Sequence, residues 1–223
     1  MKDLIAELQA ASRGVATATL PAGAAKTVTI DREYPAEVDD VWDALTNPER
    51  IPRWFLPITG DLRVGGTYQL EGNAGGEIRA CEPPTRLQVT WIFGEAPGPE
   101  DSSLVEVTLR PSGGGTLLHL EHTAVVPPEM WDRFGPGAVG VGWDLALLGL
   151  AAHLAGITMG SPEELDRDPA MREAMTASSE SWGRALAASD LGVDADTVAR
   201  LVAATTAFYV PPADSETGGA AAD

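Results

Sequence analysis

Cysteine is almost absent from the sequence, since Cys81 is the only one among 223 residues. A single cysteine excludes an intramolecular disulfide framework, so we expect a reducing compartment, the cytoplasm. The first residues, Met1 to Glu7, carry acids where a signal peptide needs a basic region followed by an apolar run. The longest apolar stretch, 145–158, is shorter than the ~20 residues of a membrane span. We therefore expect neither secretion nor a membrane partner.

Basic residues are also scarce. Lys and Arg number 15 against 33 Asp and Glu, which gives a formal net charge of −18. No run of Lys and Arg exists that could follow a phosphate backbone, so nucleic acid and anionic membrane surfaces are excluded as partners. The acidity is typical of a solvated, self-repelling surface.

The common catalytic signatures are missing too: the sequence has no G-x-S-x-G, P-loop or H-E-x-x-H motif. Residues 135–140 spell G-x-G-x-x-G, but no strand precedes them, and we interpret these glycines as a bend and close packing at the start of a helix. His119 and His122 lie three apart on a predicted strand and so face opposite ways. We expect no metal site and no cofactor.

What is present is a change of hydrophobic period along the chain. Residues 1–25 are predicted to be an N-terminal arm, and alternation typical of a half-buried strand begins at Lys26. A helical spacing at Val38 to Leu45 is followed by runs of residues that predict hairpin strands. A helical stripe then predicts one long helix over about 138–155. The expected fold is α+β, an antiparallel sheet of six or seven strands packed on this helix.

Residues 158–212 are predicted to be a helical extension, and 213–223 a disordered tail. Isolated helices of this length are only marginally stable in water, so the two apolar stripes in the extension must pack against another apolar surface. The stripes are Met171, Met175, Trp182 and Leu186, and Val198, Leu201, Val202 and Phe208. We favour docking on the chain's own domain, as a lid near Trp54 and Phe55, and a homodimer through these helices is the close alternative.

Several short segments together resemble the START/SRPBCC superfamily, and within it the domain homologous to the activator of heat-shock protein 90 ATPase. They are Val41 to Glu49, Trp54-Phe55, Gly65 to Tyr68, Pro83 to Leu87 leading to Trp91, and Gly115-Thr116 leading to His122. The resemblance covers residues 26–157. It implies a helix-grip fold, in which a curved antiparallel sheet wraps a long C-terminal helix and leaves an apolar cavity between them.

The leading hypothesis for function is a carrier or sensor that binds a small, mostly apolar molecule in this cavity. The aromatic residues come from different elements of the predicted fold. The alternative interpretation is that they form an ordinary hydrophobic core, because large aromatic side chains dominate such cores. The candidate ligand-binding residues are Trp54, Phe55, Tyr68, Trp91, Phe93, His122, Trp143 and Leu147. In this hypothesis His122, Tyr68 and the indole N–H groups orient the ligand.

Two other functions remain open. The first is an enzyme resembling a polyketide cyclase or aromatase, in which His122 moves a proton, with Glu77 or Glu106 as a partner. Strand alternation turns both acids away from the inward face, which disfavours this role. The second is a co-chaperone that stimulates a heat-shock protein ATPase, an idea that comes from the family resemblance alone.

Overall fold

The computed structural model describes residues 4–93 and 102–211. The strands are β1 Ser12–Leu20, β2 Gly23–Tyr34, β3 Ile58–Gly60, β4 Thr67–Leu70, β5 Gly75–Glu82, β6 Arg86–Thr90, β7 Ser103–Ser112 and β8 Gly115–Ala124. The α-helices are α1 Leu4–Gln9, α2 Val38–Thr46, α3 Pro128–Phe134, α4 Gly137–Leu154, α5 Pro162–Arg167, α6 Pro169–Ala187 and α7 Ala195–Tyr209, and Ile51–Arg53 forms a 3₁₀ turn. The predicted tail lies outside the described residues.

The eight strands form one antiparallel sheet in the order β1-β2-β8-β7-β6-β5-β4-β3. Alternate residues of β7 and β8 are buried, for example Val105 and Val107 opposite His122 and Leu120. This alternation gives the sheet one apolar face, on which helix α4 packs. The antiparallel sheet packed on one long helix is confirmed, and with it the helix-grip architecture that the resemblance implies.

Helix α4 is the central helix of the fold, and its observed bounds agree with the predicted 138–155. The Tyr34 hydroxyl on β2 donates a hydrogen bond of 3.1 Å to the Leu147 carbonyl, which ties the helix to the sheet. The helix is apolar on all sides, and among the described residues it alone is long and apolar enough to cross a membrane. More than half of it is buried, because the sheet covers one side and other helices cover the rest.

The predicted N-terminal arm is wrong, because these residues belong to the fold. Helix α1 buries Leu8, and β1 pairs with β2 from Ser12 to Leu20, so the sheet begins before Lys26. The sheet therefore has eight strands where six or seven were expected. Strand β1 is made largely of Ala, Thr and Gly, and such small residues give little hydrophobic alternation in sequence.

The C-terminal extension packs on α4 and on the N-terminal segment. Trp182 of α6 is completely buried and lies directly on Gly140 of α4, where an added Cβ would be 2.2 Å from the indole ring. The close packing predicted for the glycines of residues 135–140 is therefore present. Asp144 of α4, 2% exposed, ties the layers together by accepting hydrogen bonds from Arg13 of β1 and from Ser178 and Trp182 of α6.

Candidate functional site

A cavity of about 170 Å³ lies between the inner face of the sheet and helix α4. The α2 to β3 segment closes one side of it, and no described residue of the extension lines it. The idea that the extension forms a lid near Trp54 and Phe55 is therefore wrong, because α6 docks on the surface of α4 through Gly140 and Asp144.

Aromatic rings form much of the cavity wall. Trp91 and Trp143 have ring centroids 4.8 Å apart, and Phe55 stacks between Trp54 and Trp91 at 5.4 and 6.4 Å. Tyr68 leans on Trp91 at 6.3 Å. The cavity brings together six of the eight candidate residues, namely Trp54, Phe55, Tyr68, Trp91, Trp143 and Leu147.

The polar atoms of Tyr68, Trp54 and Trp143 are bonded to the protein. The Tyr68 hydroxyl donates to the Thr90 carbonyl at 2.7 Å, and burial raises its pKa. The Trp54 indole N–H donates to the Ala44 carbonyl at 2.9 Å. These donors, like the Trp143 indole N–H described below, already have protein partners and are not free to orient a ligand, which leaves the Trp91 indole N–H as the candidate donor from the expected set. The wall therefore offers a ligand aromatic and aliphatic surface.

His122 lies behind Trp143 and is not among the residues that line the cavity. Its Nδ1 accepts a hydrogen bond of 3.0 Å from the Trp143 indole N–H, so the neutral ring carries its proton on Nε2, which lies 2.9 Å from the Ser103 hydroxyl. Burial lowers the pKa of His122 to about 4. A neutral histidine with both nitrogens bonded supports the wall and does not reach a ligand.

Phe93 is also outside the site, with 62% of its surface exposed. Strand β6 ends at Thr90, so the inward alternation of Leu87, Val89 and Trp91 does not continue to this residue. An inward position for Phe93 was therefore a wrong prediction.

The two acids considered as proton-transfer partners lie on the outer face of the sheet. Glu106 accepts from Arg86 at 2.7 Å, and Glu77 lies 3.4 Å from Arg79. Neither is bonded to His122. His119 faces outward as well, opposite to His122 as the strand spacing predicts, and its Nδ1 lies 2.9 Å from the Asp31 carboxylate. The cavity contains no acid–base pair for catalysis among the residues described.

Cys81 and Arg63 line the cavity and were missed by sequence reasoning. The pairing of β5 with β6 shifts between Ile78 and Ala80, so Ile78 and Cys81 both face inward although they are an odd number of residues apart. Arg63 and its neighbour Leu62 lie in the β3–β4 loop, and they are the two exposed residues among the described ones that line the cavity. They mark the mouth of the cavity.

A second cavity, of about 240 Å³, lies on the other side of α4. Leu4 and Glu7 of α1, Ala152 of α4 and Met171 of α6 are among its lining residues. It has none of the aromatic rings that surround the first cavity. The first cavity is the better candidate because the sheet and α4, the two layers of the fold, enclose it.

Residues 35–155 match the family described as Activator of Hsp90 ATPase homolog 1-like protein. The crystal structure of CalU16 from Micromonospora echinospora is similar, with 39% identity and a TM-score of 0.62, over 81% of this chain and 100% of that one. The solution structure of CalU16 gives 38% identity and a TM-score of 0.65, over 80% and 96%.

More distantly, DynU16, a protein from the dynemicin biosynthetic locus, has 25% identity and a TM-score of 0.51. The similarity covers 58% of this chain and 47% of DynU16. No functionally curated protein matches the sequence.

Proposed function

The chain belongs to the family of Activator of Hsp90 ATPase homolog 1-like proteins, and we propose that it binds a small, largely apolar organic molecule in the cavity between the sheet and α4. The observation that carries the proposal is the cavity itself, whose wall is largely aromatic and aliphatic, with the polar atoms of Trp54, Tyr68 and Trp143 bonded to protein partners. Sites of this kind are mostly apolar, with few polar groups. We propose a role as carrier or sensor, and the single cysteine favours the cytoplasm as its location.

Binding is favoured over a cyclase-like reaction by the chemistry of the wall. A proton-transfer step needs an acid or base within hydrogen-bond reach of the substrate. His122 is bonded on both sides by Trp143 and Ser103, and Glu77 and Glu106 pair with arginines on the outer face. The similarity to DynU16, from a biosynthetic locus, supports an organic small molecule as the partner.

Butylbenzene is a suitable neutral probe, because its ring and short chain match an apolar cavity open at one end. Three tryptophans line the cavity, Trp54, Trp91 and Trp143. Tryptophan fluorescence should therefore change on titration and reach saturation. A linear change without saturation would contradict the proposal.

Two matched alanine variants on α4 locate the bound probe. Ala146 lines the first cavity and Ala152 the second. Methionine is a good helix former and fills space, so Ala146→Met should weaken binding by roughly tenfold or more, which corresponds to about 1.4 kcal/mol. Ala152→Met should leave the affinity within about twofold of the wild type, a change well below 1 kcal/mol. If Ala152→Met weakens binding more than Ala146→Met does, the probe binds in the second cavity.

A further inference from the structure

We propose that the ligand has an apolar body with a carboxylate at one end, and that Arg63 binds this carboxylate at the mouth of the cavity. The inference rests on the proposed function, because Arg63 can select among ligands only if the cavity binds them. It adds the chemical class of the ligand and a residue that determines specificity.

The interior of the cavity offers too few donors to satisfy a charged group, since among its three indole N–H groups that of Trp91 alone has no protein partner described. The Tyr68 hydroxyl and the indole N–H groups of Trp54 and Trp143 donate to Thr90, Ala44 and His122. The Thr46 hydroxyl donates to the Trp42 carbonyl at 2.8 Å. A buried carboxylate with one neutral donor is strongly disfavoured. An ionised group on the ligand must therefore lie at the open end.

The open end is where the charged residue lies. Among the described residues that line the cavity, Arg63 is the only charged one, and only it and Leu62 are exposed. The protein as a whole carries a net charge of −18, which repels anions from most of its surface. An arginine at this position is therefore a local exception that favours an anion over a cation.

Backbone hydrogen bonds fix the position of Arg63. Its N–H donates to the Asp61 carbonyl, and its carbonyl accepts from Gly66, each at 2.8 Å. Gly65 donates to the Ile78 carbonyl at 2.9 Å, which holds the loop on β5. Gly65 has a φ of 77°, a conformation that glycine adopts without strain. The guanidinium is thus attached to an ordered part of the cavity rim.

The guanidinium already binds a carboxylate in the geometry that the proposal requires. Its Nε donates to Asp61 at 3.0 Å, and its Nη2 lies 2.8 Å from the other oxygen of the same carboxylate. This two-pronged contact is how arginine recognises carboxylates. Both side chains are more than half exposed, and such ion pairs contribute little in water. A ligand carboxylate can use the remaining N–H donors or replace Asp61.

The test compares two probes that share a phenyl ring and a three-carbon chain. Butylbenzene ends in a methyl group, and 4-phenylbutyrate ends in a carboxylate. Arg63→Gln should weaken binding of 4-phenylbutyrate by about three- to fivefold, the upper part of the range for an exposed ion pair. Its affinity for butylbenzene should change by less than about twofold. Arg53→Gln is the matched control, because Arg53 is exposed on the adjacent 3₁₀ turn and does not line the cavity.

Two further measurements sharpen the test. Asp61→Asn removes the competing carboxylate, so it should strengthen binding of 4-phenylbutyrate and not of butylbenzene. Raising the salt concentration should reduce the difference between wild type and Arg63→Gln, because salt screens exposed charges.

The possible failures are distinguishable. If butylbenzene binds and Arg63→Gln leaves the affinity for 4-phenylbutyrate unchanged, the role of Arg63 is refuted while the proposed function stands. An equal loss in Arg53→Gln also refutes it, because the effect is then one of overall charge. If neither probe binds the wild-type protein, the proposed function fails and the inference fails with it.

Discussion

Acid should destabilise the folded protein through His122, and replacing this residue should remove the effect. The ordinary pKa of histidine is 6.5, whereas burial lowers the pKa of His122 to about 4. Between these values the unfolded chain binds a proton that the folded chain does not, so the free energy of unfolding falls as the pH is lowered through this window and is highest above pH 6.5. The difference between the two pKa values corresponds to roughly 3 kcal/mol.

The assay is urea unfolding at pH 7.5 and pH 4.5 for the wild type and for His122→Gln. Glutamine does not titrate and still offers a donor and an acceptor to Ser103 and Trp143. Other titrating groups contribute almost equally to both proteins, so the comparison isolates His122. Between pH 7.5 and pH 4.5, the free energy of unfolding of the wild type should fall by roughly 2 to 3 kcal/mol more than that of the variant. Parallel losses in the two proteins would refute the burial and bonding of His122 described above.

Three further perturbations concern the packing of the extension on α4. Gly140→Ala should lower the free energy of unfolding, measured in urea, by about 1–3 kcal/mol, because the added methyl group overlaps Trp182. An unchanged free energy of unfolding would mean that α6 can move away freely. Asp144→Ala should cost about 3–5 kcal/mol because it leaves Arg13 buried without its partner, and a loss below about 1 kcal/mol would contradict this role. A chain that ends after Thr158 should aggregate or melt at a lower temperature, whereas a soluble fragment with an unchanged melting temperature would show the extension to be dispensable for stability.

The sheet and the long helix could be predicted because their signals are periodic and strong. Strands such as β7 and β8 alternate bulky apolar residues with polar ones, and α4 repeats apolar residues at helical spacing. Strand β1 was missed because Ala, Thr and Gly carry little of this signal, and its place in the sheet depends on its pairing with β2. The apolar residues around all sides of α4 were a signal that a second layer covers it.

The candidate site was predictable for residues within strands and helices and not beyond their ends. Trp91 follows the alternation of β6 for one more residue, and Phe93 does not. Cys81 faces inward only because of an irregularity in β5, and Arg63 lies in a loop. The role of His122 depended on its partners Ser103 and Trp143, which lie on other elements and are not identifiable from spacing along one strand.

The central claim, that the cavity between the sheet and α4 binds a small apolar molecule, is tested most directly by NMR with the wild-type protein and butylbenzene. Intermolecular NOEs should connect the ring protons of the probe to methyl groups of Leu120 on β8 and Leu147 on α4, which line this cavity. NOEs to Leu148 and Met171 alone, or no NOEs at a saturating probe concentration, would contradict the claim, because Leu148 and Met171 line the second cavity.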